Sequence, residues 1–432
     1  MANLAGLLKA KGYEVAGSDQ EMYEPMKGML EKLKIKVFAP YSMLHVKRWK
    51  PDIVVVGNAI GRGNQELEYV LSIGQLYRSM SDILLDEFIT NKKAIVIAGT
   101  HGKTTTTALI AWILECAGLD PTVFVGGETV NFGSSFKLGK GKYIIIEGDE
   151  YDTAFFDKSP KFWHYRPFIG LVNNIELDHV DIFKDFEAYR YAFSRFINLI
   201  PKNGLLVANA EDKNVMKLVK HAKAKFHVKT FGLSKGDYTP KNTKFKTSLS
   251  GKHNVSNILG AIAVARFVGV SHETIKKAIA SFQGVKRRSE IIGEKNGITV
   301  IDDYAHHPTA VRETLASLRV KFHGRRLFLM FEPGSASSKR RVFEKQYIKA
   351  FQHAEIVYIY KPYKTGLLKS DEVFHGKQIV SRLKKQGMPS RYFENIDKLL
   401  FHVKQDIRSG DVIVIMSCRG FDGLRERIME VL

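Results

Sequence analysis

The stretch KKAIVIAGTHGKTTTTALIAWILECAGL, residues 92–119, constrains this chain more than any other. An apolar run breaks at Gly99 and resumes as a helix-spaced segment that opens with four threonines. Between the two stand Gly99, Thr100, His101, Gly102, Lys103, Thr104 and Thr105. A glycine-bearing turn from a strand into a helix lets backbone N–H groups close around an anion, and the free N–H groups of the helix start point at negative charge. Lys103 adds a formal charge, and the Thr104 hydroxyl is a hard oxygen donor for a metal. The spacing is a shortened phosphate-binding loop, because Ile97 occupies the position five before Gly102 and the first glycine is Gly99. An ordinary strand–helix turn with threonine caps is the competing reading.

Elsewhere short apolar runs alternate with amphipathic segments, which implies parallel sheets and an α/β fold class. NLAGLLKAKG reads as a helix ending at Gly12, YEVAGSD as a strand, and PDIVVVGNAI as a buried strand. KYIIIEGDEYDT, PFIGLVNNIELDHVDIF and GLLVANAED continue the pattern as strands. NVSNILGAIAVARFVGV is a helix apolar over most of its circumference and should be buried. The pattern restarts at GITVIDDYAHHPTAVRETLASL and continues in RLFLMFE, AEIVYIY and DVIVIMS. Three domains are expected, at 1–92, 93–285 and 286–432, a division that suits 432 residues.

Composition narrows the function. The net charge of +21 suits anionic small substrates, because its lysines and arginines are spread along the chain with only short clusters at SSKRR and GVKRRSE. No nucleic-acid partner and no membrane insertion are expected, since there is no basic tail and no apolar run long enough to span a bilayer. Two cysteines, Cys116 and Cys418, exclude a disulfide framework and match no zinc pattern. The first residues lack the layout of a secretory signal, so a cytoplasmic enzyme is expected.

Ligands of open parallel sheets bind beyond the carboxyl ends of the strands, and the polar clusters fall there. Glu147, Asp149, Glu150 and Asp152 follow one strand, with Glu147 the first choice for holding magnesium and a solvated acidic turn the alternative. Asn173, Asn174, Glu176, Asp178 and His179 follow the next, with His179 a metal ligand or phosphate donor. His253, Asn254 and Asn257 mark a helix start, where the asparagines suit an adenine edge or a cap. Asp302, Asp303, His306 and His307 end the first strand of the last domain, as ribose or phosphate contacts or, less fittingly, a zinc site.

GTHGKTTTT, EGDEYD, NNIELDH, GKHNVSN, GVKRRSE and DDYAHHPTA, in this order, resemble the Mur ligase family. That resemblance implies an ATP- and Mg²⁺-dependent ligase with Rossmann-like outer domains around a central P-loop ATPase-like domain. GSDQEMYEPM (17–26), DEYDTAFFDKSPKFWHYRP (149–167) and EPGSASSKRR (332–341) point to the branch that attaches the tripeptide L-Ala-γ-D-Glu-meso-diaminopimelate to UDP-N-acetylmuramate. The branch that adds L-alanine, and a non-catalytic nucleotide-binding relic, are the alternatives; a nucleic-acid-dependent ATPase is suggested by charge alone. Implied catalytic residues are Lys103, Glu147, Asn174 and His179, with Thr104, Glu147 and His179 as metal ligands. ATP contacts are implied at residues 99–105, at Asn254 and Asn257 near adenine, Arg288 at the γ-phosphate, Asp303 at ribose and His306 near the phosphates. The resemblance also places Met1 near the end of the family's glycine-rich UDP loop, implies a deleted β-hairpin between GDYTPKN and LSGKHN, and puts Gly334 where an arginine is expected to meet an anion. It leaves the oligomeric state open.

Overall fold

A computed structural model describes residues 1–22, 26–223, 225–366 and 368–432. Tyr23, Glu24 and Pro25, within the 17–26 motif, lie outside the described residues. The chain divides into two compact units, the first of residues 1–176, 185–247 and 256–283, the second of 177–184, 248–255 and 284–432.

The first unit is built on a seven-stranded sheet in the order His227–Phe231, Leu205–Asn209, Pro167–Val172, Lys93–Ala98, Tyr143–Glu147, Thr122–Thr129, Ser134–Lys137. Neighbours are parallel except the last pair, which is antiparallel. Lys93–Ala98 lies at the centre, and its residues 94–98 are buried, as near-continuous apolar runs are in parallel sheets. The helix Lys252–Phe267 buries Asn257 through Ala265, as its all-round apolar surface demands. Between Phe231 and Lys252 the described residues form only an isolated bridge, Phe231 to Tyr238.

The N-terminal segment belongs to this same unit. Its helix Ala2–Ala10 docks on the sheet edge: Asn3 Nδ2 donates to Val125 O (2.7 Å) and Ser135 Oγ donates to Asn3 Oδ1 (2.6 Å). Gly6 is required at that crossing, since a Cβ there would collide with the Phe136 ring. The following strands form two separate parallel pairs, Ala16–Ser18 with Lys36–Phe38 and Val54–Val56 with Tyr77–Ser79. PDIVVVGNAI is therefore not the buried strand its apolarity suggests. Only Val54–Val56 are paired, Val56 alone is buried and Ile53 is 43% exposed, because this strand has one partner and an open edge.

The second unit holds a six-stranded sheet in the order Glu290–Lys295, Ile298–Asp303, Val412–Met416, Leu327–Phe331, Ile356–Tyr360, Ser390–Phe393. Only Glu290–Lys295 is antiparallel to its neighbour. The register sets Asp303 and Phe331 opposite Met416, so Asp303, Glu332 and Ser417 emerge together at one sheet end.

Aromatic packing anchors the first unit's sheet. The buried Phe196 ring stacks on Phe162 at 4.8 Å between centroids and fills the space above Gly170. Phe196→Ala should lower the unfolding free energy by about 3–5 kcal/mol. Urea denaturation checks this, and a loss under about 1 kcal/mol would contradict the packing described.

Candidate active site

The turn between Lys93–Ala98 and the helix Lys103–Cys116 takes its shape from two glycines. Gly99 and Gly102 have φ of 133° and 81°, a region that disfavours side chains. A Cβ on Gly99 would lie 3.1 Å from the Asn173 backbone nitrogen, and one on Gly102 would lie 2.8 Å from Asn173 Nδ2 and collide with Asn257 Oδ1. Gly102 is the residue preceding the helix and, as a glycine, brings no side-chain cap of its own. Other helices of the unit are capped, by Asp185 and Asp212 for example. The phosphate-binding turn thus starts the helix on a glycine, at a position where an anion gains from the helix dipole. The threonine-cap reading fails, because the residue at the cap position is a glycine.

Around this turn the side chains form a closed network. Asn174 Oδ1 accepts from the His101 backbone N–H (2.8 Å), and Asn173 and Asn174 both donate to His101 O (3.2 Å each). Asn173 Oδ1 is buried without a hydrogen-bond partner among the described residues. The Lys103 ammonium donates to Gly99 O (2.7 Å) and to both oxygens of Glu150 (2.9 and 3.0 Å). Glu150 is 0% exposed, and Tyr189 Oη donates to it (3.0 Å) while contacting Thr100 Oγ1 (3.0 Å). Burial alone would lower the Lys103 pKa, but the charges of Glu150, Glu147 and Asp149 outweigh it and the pKa is raised. Lys103 is therefore firmly cationic.

Thr104 Oγ1 donates to Glu147 Oε1 (3.0 Å), and the Gly126 N–H donates to Glu147 Oε2 (2.8 Å). One hydroxyl and one carboxylate oxygen so placed are a hard donor pair, the chemistry Mg²⁺ takes. The acidic cluster is not a solvated turn. Each remaining acid has a protein cation: Glu150 has Lys103, Asp149 has Lys161 (2.9 Å) and Asp152 has Lys158 (2.7 Å). Lys161 and Tyr189 escaped the sequence reading as site residues: Lys161 stands inside the 149–167 stretch with no role assigned to it, Tyr189 belongs to no motif, and the fold alone brings them here.

In the second unit, His179 adopts φ 51° and its N–H donates to Asp178 Oδ1 (2.7 Å). Asp178 is buried, which would raise its pKa, but His179, His306 and His307 pull it well below the carboxylate range. His306 is half-buried; desolvation lowers its pKa to about 4 against the pull of Asp178, so it is neutral near pH 7. Its Nδ1 lies 3.0 Å from Tyr304 O. His307 caps the helix Pro308–Lys321 through Nδ1 and faces Leu177 O with Nε2 (3.3 Å). Both of its ring nitrogens face backbone partners, so the adjacent histidines do not act as a zinc pair.

Asp303 is buried and accepts from Ala305 N on Oδ1 (2.7 Å) and from Ser289 N on Oδ2 (2.7 Å). Burial raises its pKa despite these bonds and the nearby Arg288. Arg287 and Ser289 both have positive φ, 59° and 53°, and hold between them the exposed Arg288, whose guanidinium lies 5.0 Å from the Tyr304 ring centroid. Strain of this kind is retained where a side chain must be presented. Asn254 Nδ2 donates to Ser250 O (2.8 Å), and the His253 Nδ1 is buried without a hydrogen-bond partner among the described residues.

Three family models match the chain: Mur ligase family, catalytic domain at residues 1–89; Mur ligase middle domain at 97–265; and Mur ligase, glutamate ligase domain at 287–419. The chain belongs to the Mur ligase family. A Mur ligase from Haemophilus influenzae, named UDP-N-acetylmuramate–L-alanyl-γ-D-glutamyl-meso-2,6-diaminoheptandioate ligase, is 36% identical over 100% of this chain and 96% of its own length. Among solved Mur ligases, the murein peptide ligase Mpl of Psychrobacter arcticus is 33% identical, with a TM-score of 0.77 over 100% of this chain and 96% of that one. The UDP-N-acetylmuramate–alanine ligase MurC of Thermotoga maritima is 26% identical, with a TM-score of 0.81 over 100% and 96%. No helix of this Mur ligase is long and apolar enough to cross a membrane among the described residues.

Gly102→Ala should abolish binding of a non-hydrolysable ATP analogue while leaving the thermal transition within a few degrees. Calorimetric titration checks this, and wild-type affinity would remove the turn from the nucleotide site.

Proposed function

We propose that this chain is a murein peptide ligase, which joins the tripeptide L-Ala-γ-D-Glu-meso-diaminopimelate to the carboxylate of UDP-N-acetylmuramate at the expense of ATP. The observation that carries the reading is the full-length relationship to a ligase named for that reaction, at 36% identity. The glycine-bearing turn at the helix start, with its cationic Lys103, supports the ATP part independently. We assign residues 1–92 to the UDP-sugar, 93–285 to ATP and 286–432 to the peptide.

Phosphoryl transfer asks chiefly for positioning and charge stabilisation, so no nucleophilic side chain is needed. The muramyl carboxylate attacks the γ-phosphorus, expelling ADP and leaving an acyl phosphate. The peptide amine then adds to the acyl carbon, and collapse of the tetrahedral adduct releases inorganic phosphate and gives the amide. The N–H groups at residues 102–105 hold the phosphates, and Lys103 offsets their charge after leaving Glu150. Asn174 keeps the turn in shape through the His101 N–H. Asn254 and Asn257 flank adenine, Asp303 faces ribose, Arg288 meets the γ-phosphate, and neutral His306 lies near the phosphates as a hydrogen-bonding group. Thr104 and Glu147 are the residues that hold Mg²⁺, with His179 assigned to a second ion; bound Mg²⁺ neutralises phosphate charge.

The higher TM-score to the alanine ligase keeps addition of free L-alanine as the second reading. Incubation with ATP, Mg²⁺, UDP-N-acetylmuramate and either tripeptide or L-alanine, with products identified by mass, separates the two. Tripeptide adduct is expected, and L-alanine adduct alone would overturn the assignment. Lys103→Ala should lower turnover at least about a thousandfold, the scale of losing a cation at a transferring phosphoryl group. Glu150→Gln should lower it less, because Lys103 keeps Glu147 and Asp149 nearby. Activity within tenfold of wild type in Lys103→Ala would remove the lysine from the mechanism.

A further inference from the structure

The motif EPGSASSKRR carries glycine at 334, where the resemblance to the Mur ligase family implies an arginine. The second unit explains what fills the space. A Cβ on Gly334 would lie 2.7 Å from Arg419 Cγ and 3.0 Å from Cys418 Sγ, so a side chain at 334 and the present Arg419 side chain exclude each other. Arg419 lies over Gly334 and donates from Nε to Gly334 O (3.2 Å). Its guanidinium is 5.2 Å from the Tyr363 ring centroid, and Tyr363 is itself tied to this loop by its N–H on Pro333 O (3.0 Å).

The turn beneath is rigid. Ser417 Oγ accepts from the Arg419 N–H (2.8 Å) and donates to the buried Glu332 (2.5 Å). Arg425 donates to the carbonyls of Arg419 (2.7 Å) and Ser417 (3.2 Å), and Arg287 donates to the same two. The charges of Arg287 and Arg425 are met by Asp302, at 3.2 and 2.8 Å. Arg419 differs: it is exposed, no acidic side chain pairs with it, and its two terminal nitrogens make no hydrogen bond among the described residues. Lys339 stands close by, its pKa lowered by burial first and then by the charges of Arg419 and Arg340. Two uncompensated donors on a stacked, pre-oriented guanidinium form a fork that matches a carboxylate.

We propose that Arg419 is the specificity-determining residue that reads a carboxylate of the incoming peptide, supplying from position 419 the contact that Gly334 does not. The proposal rests on the ligase reading above. L-Alanine offers a single carboxylate next to the reacting amine, whereas the tripeptide carries carboxylates farther along its length. An arginine fixed by its surroundings discriminates by leaving its fork unpaired when the carboxylate is missing.

Steady-state kinetics of the full chain with ATP, Mg²⁺ and UDP-N-acetylmuramate test this. Arg419→Gly should raise the KM for the tripeptide about ten- to hundredfold, with the KM for ATP changed less than about twofold. A tripeptide with its distal carboxylates amidated should be poor for wild type and lose nothing further in Arg419→Gly. Gly334→Arg combined with Arg419→Gly frees the shared volume for an arginine from the other side and should recover most of the lost affinity. A wild-type KM for the tripeptide in Arg419→Gly overturns the assignment, as does an equal loss for the amidated peptide. Absence of tripeptide adduct with the wild-type chain is a different result: it removes the ligase reading and this proposal with it.

Discussion

The ion pair between Lys103 and the fully buried Glu150 is the interaction on which the first unit's site depends. An ammonium at the start of a helix faces the positive end of the dipole and is disfavoured there. Glu150 offsets that charge with both oxygens, Tyr189 fixes Glu150, and Thr100 fixes Tyr189. A buried pair of this kind is weak evidence for stability but costs about 3–5 kcal/mol to break from one side. Its value here is geometric: the turn stays open to an anion while its own cation is held at one edge.

The second unit solves a related problem with strain and clamps. His179, Arg287 and Ser289 sit at positive φ, and the carbonyls of Ser417 and Arg419 are each held by Arg287 and Arg425. These groups surround the end of the sheet where Asp303, Glu332 and Ser417 emerge. Acids buried there, Asp303 and Glu332, have raised pKa values through burial, and they spend their oxygens on backbone and hydroxyl donors. Arg288 and Arg419 are exposed basic residues of the same unit, in keeping with the +21 net charge of the chain.

Much of this was legible because it was local. Gly99 and Gly102 announce positive φ, the apolar run 94–98 announces a central strand, and Thr104 with Glu147 announces a hard donor pair. What was not legible was pairing. The apolarity of Ile53–Val56 does not reveal that the strand has a single neighbour, and the acids of residues 147–152 do not reveal that Asp149, Glu150 and Asp152 each meet a lysine. Tyr189 lies 39 residues beyond Glu150 and joins the site only because the helix Phe186–Asn198 packs there.

The sequence by itself determined the α/β alternation, the phosphate-binding turn and the family, because each is written in residues close together along the chain. Only the tertiary structure decided which cation meets which acid, that His306 is neutral and His307 a cap, and that Arg419 occupies the volume over Gly334. Those outcomes depend on burial and on distances between residues far apart in the chain, such as the 2.7 Å that a Cβ at 334 would leave to Arg419 Cγ. Spacing along a chain fixes backbone geometry, whereas charge state and side-chain occupancy follow from what the completed fold removes from water.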